Sequence, residues 1–352
     1  MKKKLSKNSL NGFINYGIVI VAYVVIQAMI GGKMISNSLQ SLLVPACCYI
    51  VMAVSLNLTV GILGELSLGH AGFMSLGAFS GIVASIMLQD TIAFTPLRLA
   101  AAMVIGALAG ALGGVIVGVP VLRLQGDYLA IVTLAFGQII KNIIMVLYVG
   151  VDGTGIHIAA SSERFVLADD GIAIIKGPMG AVGVAKLASF TAGFVLILIT
   201  LLVVQNLVSS RAGRAIMALR DNRIAAESVG INVTKYKLMA FVISAALAGA
   251  AGALFGLNYS STVASKFDFN TSILVLVFVV LGGLGSIRGS IIAAALLYVL
   301  PELLRSFDIA EYRMLIYAII LILVMLVTNN PTMKNFLASR FKKNKKKEGA
   351  SA

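Results

Sequence analysis

The residues that could do chemistry in this sequence are few and widely separated. Among 352 residues there are 14 Asp and Glu, two His and two Cys. His70 and His157 are far apart, and Cys47 and Cys48 are adjacent within an apolar run, so neither pair has the spacing of a metal site or a disulfide framework. The sequence has no G-x-x-x-x-G-K-S/T phosphate loop, no HExxH motif and no nucleophile elbow. We therefore expect no catalytic residue, no metal site and no cofactor bound by this chain.

The longest polar segment between two apolar stretches runs from Ser209 to Lys237, with the sequence SSRAGRAIMALRDNRIAAESVGINVTKYK. The segment contains only two acidic residues but six basic ones, which are Arg211, Arg214, Arg220, Arg223, Lys235 and Lys237. Because basic loops are retained on the cytoplasmic side of a membrane, we expect this segment there. It is either a solvated loop that fixes topology or a docking element for a soluble partner.

A short helix is predicted inside this segment, between Asp221 and Gly230. Asp221 can cap the amino end of the helix, and Ala225 and Ala226 are strong helix formers. Gly230 suits the left-handed conformation that commonly ends a helix.

Two glycine-rich stretches interrupt the apolar pattern, GILGELSLGHAG at 61–72 and GGLGSIRGS at 282–290. Irregular backbone at membrane depth is tolerated only inside protein or along a wet cavity, and paired interruptions are typical of internal repeats around a translocation route. Two tight cytoplasmic turns are the alternative, with Glu65 and His70 as interfacial charges at a break. The candidate residues for the route are Asn57, Gly61, Glu65, Ser67, His70, Gly282, Gly283 and Gly285.

The elements that must position these residues are apolar helices. The chain is 59% hydrophobic and only 12% charged, which excludes an ordinary soluble globule. Ten stretches are long enough to cross a bilayer: 14–30, 39–61, 73–89, 98–121, 128–149, 188–208, 238–258, 271–285, 288–305 and 313–328. We therefore predict an all-α, polytopic transmembrane helix bundle of about ten spans, with interrupted helices and an internal repeat.

The net charge of +14 indicates topology rather than nucleic-acid binding, because the basic residues lie beside apolar stretches. An even number of spans places both termini on one side, and the basic residues favour the cytoplasm. The predicted divisions are a cytoplasmic segment 1–13, a transmembrane domain 14–328 with a cytoplasmic loop 209–237 and an extracytoplasmic loop 150–187, and a basic, lipid-touching cytoplasmic tail 329–352.

Small residues recur every four positions in three of the predicted spans. The sets are Gly77, Gly81 and Ser85; Ala102, Gly106, Gly110, Gly114 and Gly118; and Ser244, Ala248, Gly252 and Gly256. Such stripes let helix backbones approach closely, so they predict a tightly packed bundle.

The segment GRAIMALRDNRIAAESVGI resembles the EAA loop of ABC importer permeases. Three further stretches agree with this resemblance, NLTVGILGELSLGHAGFMSLGAF at 57–79, LRLQGDYLAIVTLAFGQI at 122–139 and LGGLGSIRGSIIAAALLYVLPELLR at 281–305. Together the four stretches are similar to the LivM branch of branched-chain amino-acid permeases, over about residues 40 to 328.

The resemblance implies a non-enzymatic, multi-pass subunit of a bacterial plasma-membrane importer. The implied partners are a homologous LivH-type permease subunit, two cytoplasmic ATPase subunits that carry the ATP, and an extracytoplasmic substrate-binding protein. By position, the helix that couples to an ATPase would include Asp221, Arg223, Ala225, Ala226 and Gly230. The glutamate of the family pattern is absent, because Ile224 precedes the two alanines.

The implied substrates are leucine, isoleucine and valine. Urea, short amides or other amino acids are the alternatives within the same importer class. Two alternatives lie outside it, an ion-coupled carrier that works without an ATPase and a membrane scaffold that transports nothing.

Overall fold

The computed structural model is mostly helical and describes residues 7–32, 36–122, 124, 126–152, 155–165, 167, 171–305, 319 and 322. The helices are α1 Lys7–Gly31, α2 Asn37–Asn57, α3 His70–Met87, α4 Thr95–Val121, α5 Asp127–Val146, α6 Phe190–Ser209, α7 Arg211–Asp221, α8 Arg223–Ser228, α9 Val233–Gly256, α10 Phe269–Gly282 and α11 Ile287–Arg305. A π-helix, Leu58–Leu63, continues α2. Short 3₁₀ turns lie at Ser162–Arg164, Gly177–Met179 and Ala264–Lys266.

Seven helical segments among the described residues are long and apolar enough to cross a membrane. They are Leu39–Leu63, His70–Met87, Thr95–Val121, Asp127–Val146, Phe190–Ser209, Val233–Gly256 and Ala264–Gly282. A shorter apolar helix covers Asn15–Gly31, and α11 overlaps the predicted ninth stretch. The predicted tenth stretch, 313–328, lies outside the described residues apart from positions 319 and 322. A multi-pass helical protein is thus confirmed, whereas ten spans and the internal repeat stay predictions.

Helices α3, α4 and α9 pack together through their small residues. A β-carbon on Gly77 of α3 would overlap the Gly249 backbone of α9, and one on Gly110 of α4 would overlap the Ala245 carbonyl oxygen. A β-carbon on Gly252 of α9 would lie 2.8 Å from the Met74 carbonyl carbon of α3, whereas one on Gly249 would overlap the Gly106 carbonyl oxygen of α4. Helix α9 therefore offers small residues on two faces, one to each neighbour, and the predicted close approach of backbones is confirmed.

A five-stranded antiparallel sheet corrects the all-α prediction. Its strands are β1 Tyr148–Asp152, β2 Gly155–Ala159, β3 Ile172–Lys176, β4 Ala181–Val182 and β5 Ser261–Thr262, in the spatial order β2-β1-β3-β4-β5. Val149 pairs with Ile158 and Ala181 pairs with Thr262. The segment between α5 and α6 is thereby joined to the segment between α9 and α10.

The connections between helices separate into two groups. The connections that follow α5 and α9 contribute the strands of the sheet. The residues after the π-helix, before α5 and around α8 instead line one common cavity. Because α5 begins beside this cavity and ends next to β1 of the sheet, these residues form the opposite end of the bundle, called the loop end below. The contacts divide the chain into two compact units, Met1–Ala295 and Leu296–Ala352, and the elements described below belong to the first.

Candidate functional site

The polar segment 209–237 folds as two helices rather than one. Helix α7 ends at Asp221, and Asn222 has an extended backbone with φ −156° and ψ 106°. The Asn222 Oδ1 accepts a hydrogen bond of 3.0 Å from the Ala225 amide, which caps α8. The prediction that Asp221 caps this helix is therefore wrong, because Asp221 is still helical and its carboxylate instead pairs with Arg220 at 3.1 Å.

The end of α8 follows the prediction. Gly230 has a left-handed φ of +85°. Its amide donates to the Glu227 carbonyl at 3.0 Å, and the Ile231 amide donates to the Ala226 carbonyl at 3.1 Å. This pair of hydrogen bonds is a Schellman motif, which satisfies carbonyls that the helix end leaves free.

Helix α8 is anchored on one side and exposed on the other. Ala226 is buried in a cluster with Leu219 and Val233, which belong to α7 and α9. Ile224 and Val229 point away from this cluster and are 81% and 76% exposed. The loop end therefore presents a short, capped helix with two protruding apolar side chains.

Only part of the first interruption, 61–72, is non-helical. The π-helix carries the chain to Leu63, and α3 begins at His70, so the non-helical residues within this interruption are 64–69. In the second interruption only 283–286 are non-helical. Single π-helical turns are rare and often occur at functional sites.

The structure brings the two interruptions into contact. The Asn57 Oδ1 accepts a hydrogen bond of 2.8 Å from the Gly285 amide, although the residues are 228 positions apart. A β-carbon on Gly61 would lie 2.8 Å from the Gly285 α-carbon, so no side chain fits between the two backbones. Asn57 is 1% exposed, and its Nδ2 has no hydrogen-bond partner within the described residues.

Two basic side chains connect the segment around α8 to the first interruption. Arg220 Nη1 donates to the Gly61 carbonyl at 3.0 Å. Lys237 Nζ forms an ion pair with Glu65 Oε1. Lys237 is 4% exposed, so its charge depends on this carboxylate for compensation.

A polar cavity of 350 Å³ lies beside these contacts. Its lining residues are Gly64, Glu65, Leu66, Gly126, Asp127, Leu219, Arg223 and Lys237. The Arg223 Nη1 is buried and lacks a hydrogen-bond partner in the part of the chain that the structure describes. Arg223 therefore begins α8 and also borders this cavity.

The remaining candidate residues make other contacts. His70 Nε2 is 2.8 Å from Ser55 Oγ in the helix core. Ser67 is buried, and its Oγ has no partner in the described residues. A β-carbon on Gly282 would overlap Gly289, so Gly282 permits the tight turn that Gly283 continues between α10 and α11. That these residues line a route stays a prediction.

The sequence alone did not single out Asn222, Arg220 or Lys237 as functional candidates. Lys237 had a usable signal, because it falls on the same face of α9 as the buried residues Val233 and Ser244. A lysine on a buried face requires an anionic partner nearby. Arg220 had none, since its contact with Gly61 spans 159 residues and involves a backbone carbonyl.

No group of three His, Cys, Asp or Glu side chains is placed to hold a metal ion in the described ranges. The contacts described above for the loop end are hydrogen bonds, an ion pair and apolar packing.

Comparison with known proteins identifies the kind of protein that carries this arrangement. The high-affinity branched-chain amino acid transport system permease protein LivM of Salmonella typhimurium is 33% identical over 307 residues, which cover 83% of this chain and 69% of the relative. The ribose import permease protein RbsC of Haemophilus influenzae is 26% identical over 321 residues, covering 89% and 91%. The permease protein LivH of the branched-chain system of Escherichia coli is 35% identical over 118 residues, covering 34% and 38%.

No solved structure matches the chain. Residues 38–325 match the family described as branched-chain amino acid transport system, permease component, and they include all but the first residue of α2, the π-helix, both interruptions and α8. The chain is a multi-pass membrane protein and belongs to this family of permease components.

Proposed function

We propose that this chain is the LivM-type permease subunit of an ATP-driven importer that carries leucine, isoleucine and valine across a bacterial plasma membrane. The observation that carries the proposal is α8, a capped helix anchored by Ala226 that exposes Ile224 and Val229 at the loop end. The LivM relative supplies the substrate class, because it covers most of both chains at 33% identity.

The proposed assembly contains a LivH-type permease subunit, two cytoplasmic ATPase subunits and an extracytoplasmic substrate-binding protein. The loop end faces the cytoplasm, the sheet faces outward, and both termini are cytoplasmic. This orientation agrees with the basic residues of α7, α8 and the start of α9. Similarity of part of this chain to LivH supports pairing between homologous subunits.

In this mechanism the chain converts the work of its partners into movement of helices. ATP is bound and hydrolysed by the ATPase subunits, which supply the free energy. Ile224 and Val229 insert into a groove on an ATPase subunit. The buried cluster of Ala226 with Leu219 and Val233 then passes the displacement of α8 to α7 and α9. The interruptions at 64–69 and 283–286 border the route that opens alternately to the two sides.

The docking of α8 is tested by a charge at its exposed tip. The variant Ile224→Asp is co-expressed with the partner permease, the ATPases and the binding protein, and the ATPase retained by the purified permease pair is measured. We expect most of the ATPase to be lost, because a carboxylate would be desolvated in an apolar groove. Ile172→Asp, on an equally apolar and 61% exposed residue of the sheet, is the matched control and retains it. Full retention by Ile224→Asp would refute docking through α8.

Substrate class is tested by competition in cells that depend on this importer. Excess unlabelled isoleucine or valine should suppress leucine uptake, whereas urea, a short amide and ribose should not. Ribose is included because the RbsC relative covers 89% of this chain. Suppression by ribose alone would overturn the amino-acid assignment and leave the importer class intact.

A further inference from the structure

We propose that Arg220 and Lys237 are positioning residues that tie α8 to the first interruption, so that displacement of α8 acts directly on the junction between the two interruptions. The inference rests on the proposed function, since it presumes that an ATPase moves α8. It names residues that would link the docking helix physically to the route. The family match identifies no such residues.

Arg220 makes the first tie. It lies two residues before Asn222, which caps α8. Its Nη1 donates to the Gly61 carbonyl at 3.0 Å, while Nε and Nη2 donate to Asp221 Oδ1 at 3.2 Å and 3.1 Å. The carboxylate thus orients the planar guanidinium, and one edge remains for the carbonyl. A lysine ammonium has no such fork and would not hold both groups in a fixed geometry.

The stem of Arg220 lies directly on Gly64. A β-carbon at Gly64 would be 2.6 Å from the Arg220 Cγ, so the arginine reaches Gly61 only because residue 64 has no side chain. Gly64 also ends the π-helix with φ +83°. The arginine therefore contacts this helix end over its last turn, through packing as well as through a hydrogen bond.

Lys237 makes the second tie, from the first turns of α9 beyond α8. Its ammonium group is paired with Glu65 across 172 positions of sequence, and the side chains of both residues are largely buried, 5% and 15% exposed. Buried charges are strongly coupled to their partners because separation leaves each one uncompensated. Glu65 must therefore follow the start of α9.

The two ties flank α8 in the sequence. Arg220 precedes α8 and Lys237 follows it, and both side chains bind the five-residue segment Gly61–Glu65. Gly61 in turn packs on Gly285, and Asn57 is hydrogen-bonded to the same glycine. A push on α8 therefore reaches the first interruption at two points and the second interruption through the contact at Gly285.

The test measures ATP hydrolysis and leucine uptake together in proteoliposomes that contain the complete importer. The variants are Arg220→Gln and Lys237→Gln. Arg214→Gln and Lys235→Gln are the matched controls, since both residues are exposed in the same helices and make no contact with segment 61–65 that the structure describes. We expect the two variants to bind the ATPases and to hydrolyse ATP. They should move at least roughly 5-fold less leucine per ATP, because 5-fold is the lower end of typical coupling effects. The controls should keep the wild-type ratio.

A charge exchange separates positioning from a general packing defect. Glu65→Lys should lower the ratio of leucine to ATP, and the double variant Glu65→Lys with Lys237→Glu should recover much of it by restoring the pair in reverse. If Lys237→Gln does not assemble, this exchange and Arg220→Gln, whose side chain is partly exposed, decide the matter.

Each outcome has a distinct meaning. Wild-type ratios in both Arg220→Gln and the Glu65→Lys variant would overturn the inference while leaving the importer proposal standing. Absence of ATP-dependent uptake in the wild-type assembly would overturn the proposed function instead. Equal loss of transport and of ATP hydrolysis, with no recovery in the exchanged pair, would assign Arg220, Lys237 and Glu65 a purely structural role and would also overturn the inference.

Discussion

At the scale of single residues, Asn222 decides where the docking helix begins. It leaves the helical conformation after α7, and its side chain satisfies the Ala225 amide of α8. A six-residue helix has little intrinsic stability, so a capping interaction is a large part of what holds it.

We predict that Asn222→Ala frays α8. Loss of an N-cap removes about 1 kcal/mol, which corresponds to roughly 5-fold faster amide exchange through local opening. Hydrogen exchange over residues 223–228 of the detergent-solubilised protein measures this effect. Asp221→Ala is the control, because Asp221 caps nothing and should leave that exchange rate unchanged. The reverse pattern would restore Asp221 as the cap.

The difference between these two neighbours shows the limit of residue-level prediction. The sequence RDNR offers two adjacent side chains that are equally good caps. The choice depends on whether α7 ends before or after residue 221, which is set by the packing of Leu219 with Ala226 and Val233. Gly230, by contrast, was predictable because few other residues adopt its left-handed conformation.

At the scale of elements, helix α9 holds the bundle together. It presents small residues to α3 on one side and to α4 on the other, and Gly77 and Gly110 lie against its backbone. Close packing of this kind fixes the separation of three helices, since any added side chain must push two backbones apart.

We predict that Gly77→Val lowers the thermal midpoint of the purified protein. Its β-carbon would overlap the Gly249 backbone, and overpacking at such a site costs about 1–3 kcal/mol. Thermal unfolding in detergent, followed by size-exclusion chromatography, provides the measurement. Gly17→Val is the control, because Gly17 is an exposed residue of α1 with nothing within 4 Å of a β-carbon. Equal midpoints for the two variants would mean that α3 and α9 do not pack closely.

The helices and their small-residue faces were predictable because apolar length and four-residue spacing are local signals. The sheet was not. Its strands are two to five residues long, and β4 finds its partner β5 about 80 positions later, at Ala181 and Thr262. The π-helix was also missed, since its residues Leu58–Leu63 read as an ordinary continuation of α2.

At the scale of the whole molecule, the larger compact unit, Met1–Ala295, has two unlike ends. One end carries the sheet, with Ile156 and Ile158 exposed on β2. The other carries α8, the polar cavity and the junction of the two interruptions. The sequence indicated both groups of segments, but their grouping follows from contacts across more than 150 residues, such as that between Glu65 and Lys237.

We predict that the sheet is outside the cell and α8 inside. Ile158→Cys and Ser228→Cys place thiols on exposed residues at the two ends. A membrane-impermeant maleimide should label the first variant in intact cells and the second only after lysis. The parent chain is the control, because Cys47 and Cys48 are buried and should stay unlabelled. Labelling of the Ser228→Cys variant in intact cells would invert the proposed topology.

The measurement that tests the account most directly is leucine accumulation by proteoliposomes with defined contents. The chain together with its partner permease, both ATPases and the binding protein should concentrate leucine only when ATP is supplied to the side that α8 faces. The chain alone, given a proton or sodium gradient, should concentrate none. Uphill uptake by the chain alone, or unchanged uptake by the full assembly after ATP is withdrawn, would contradict the claim that this protein transmits work done by its partners.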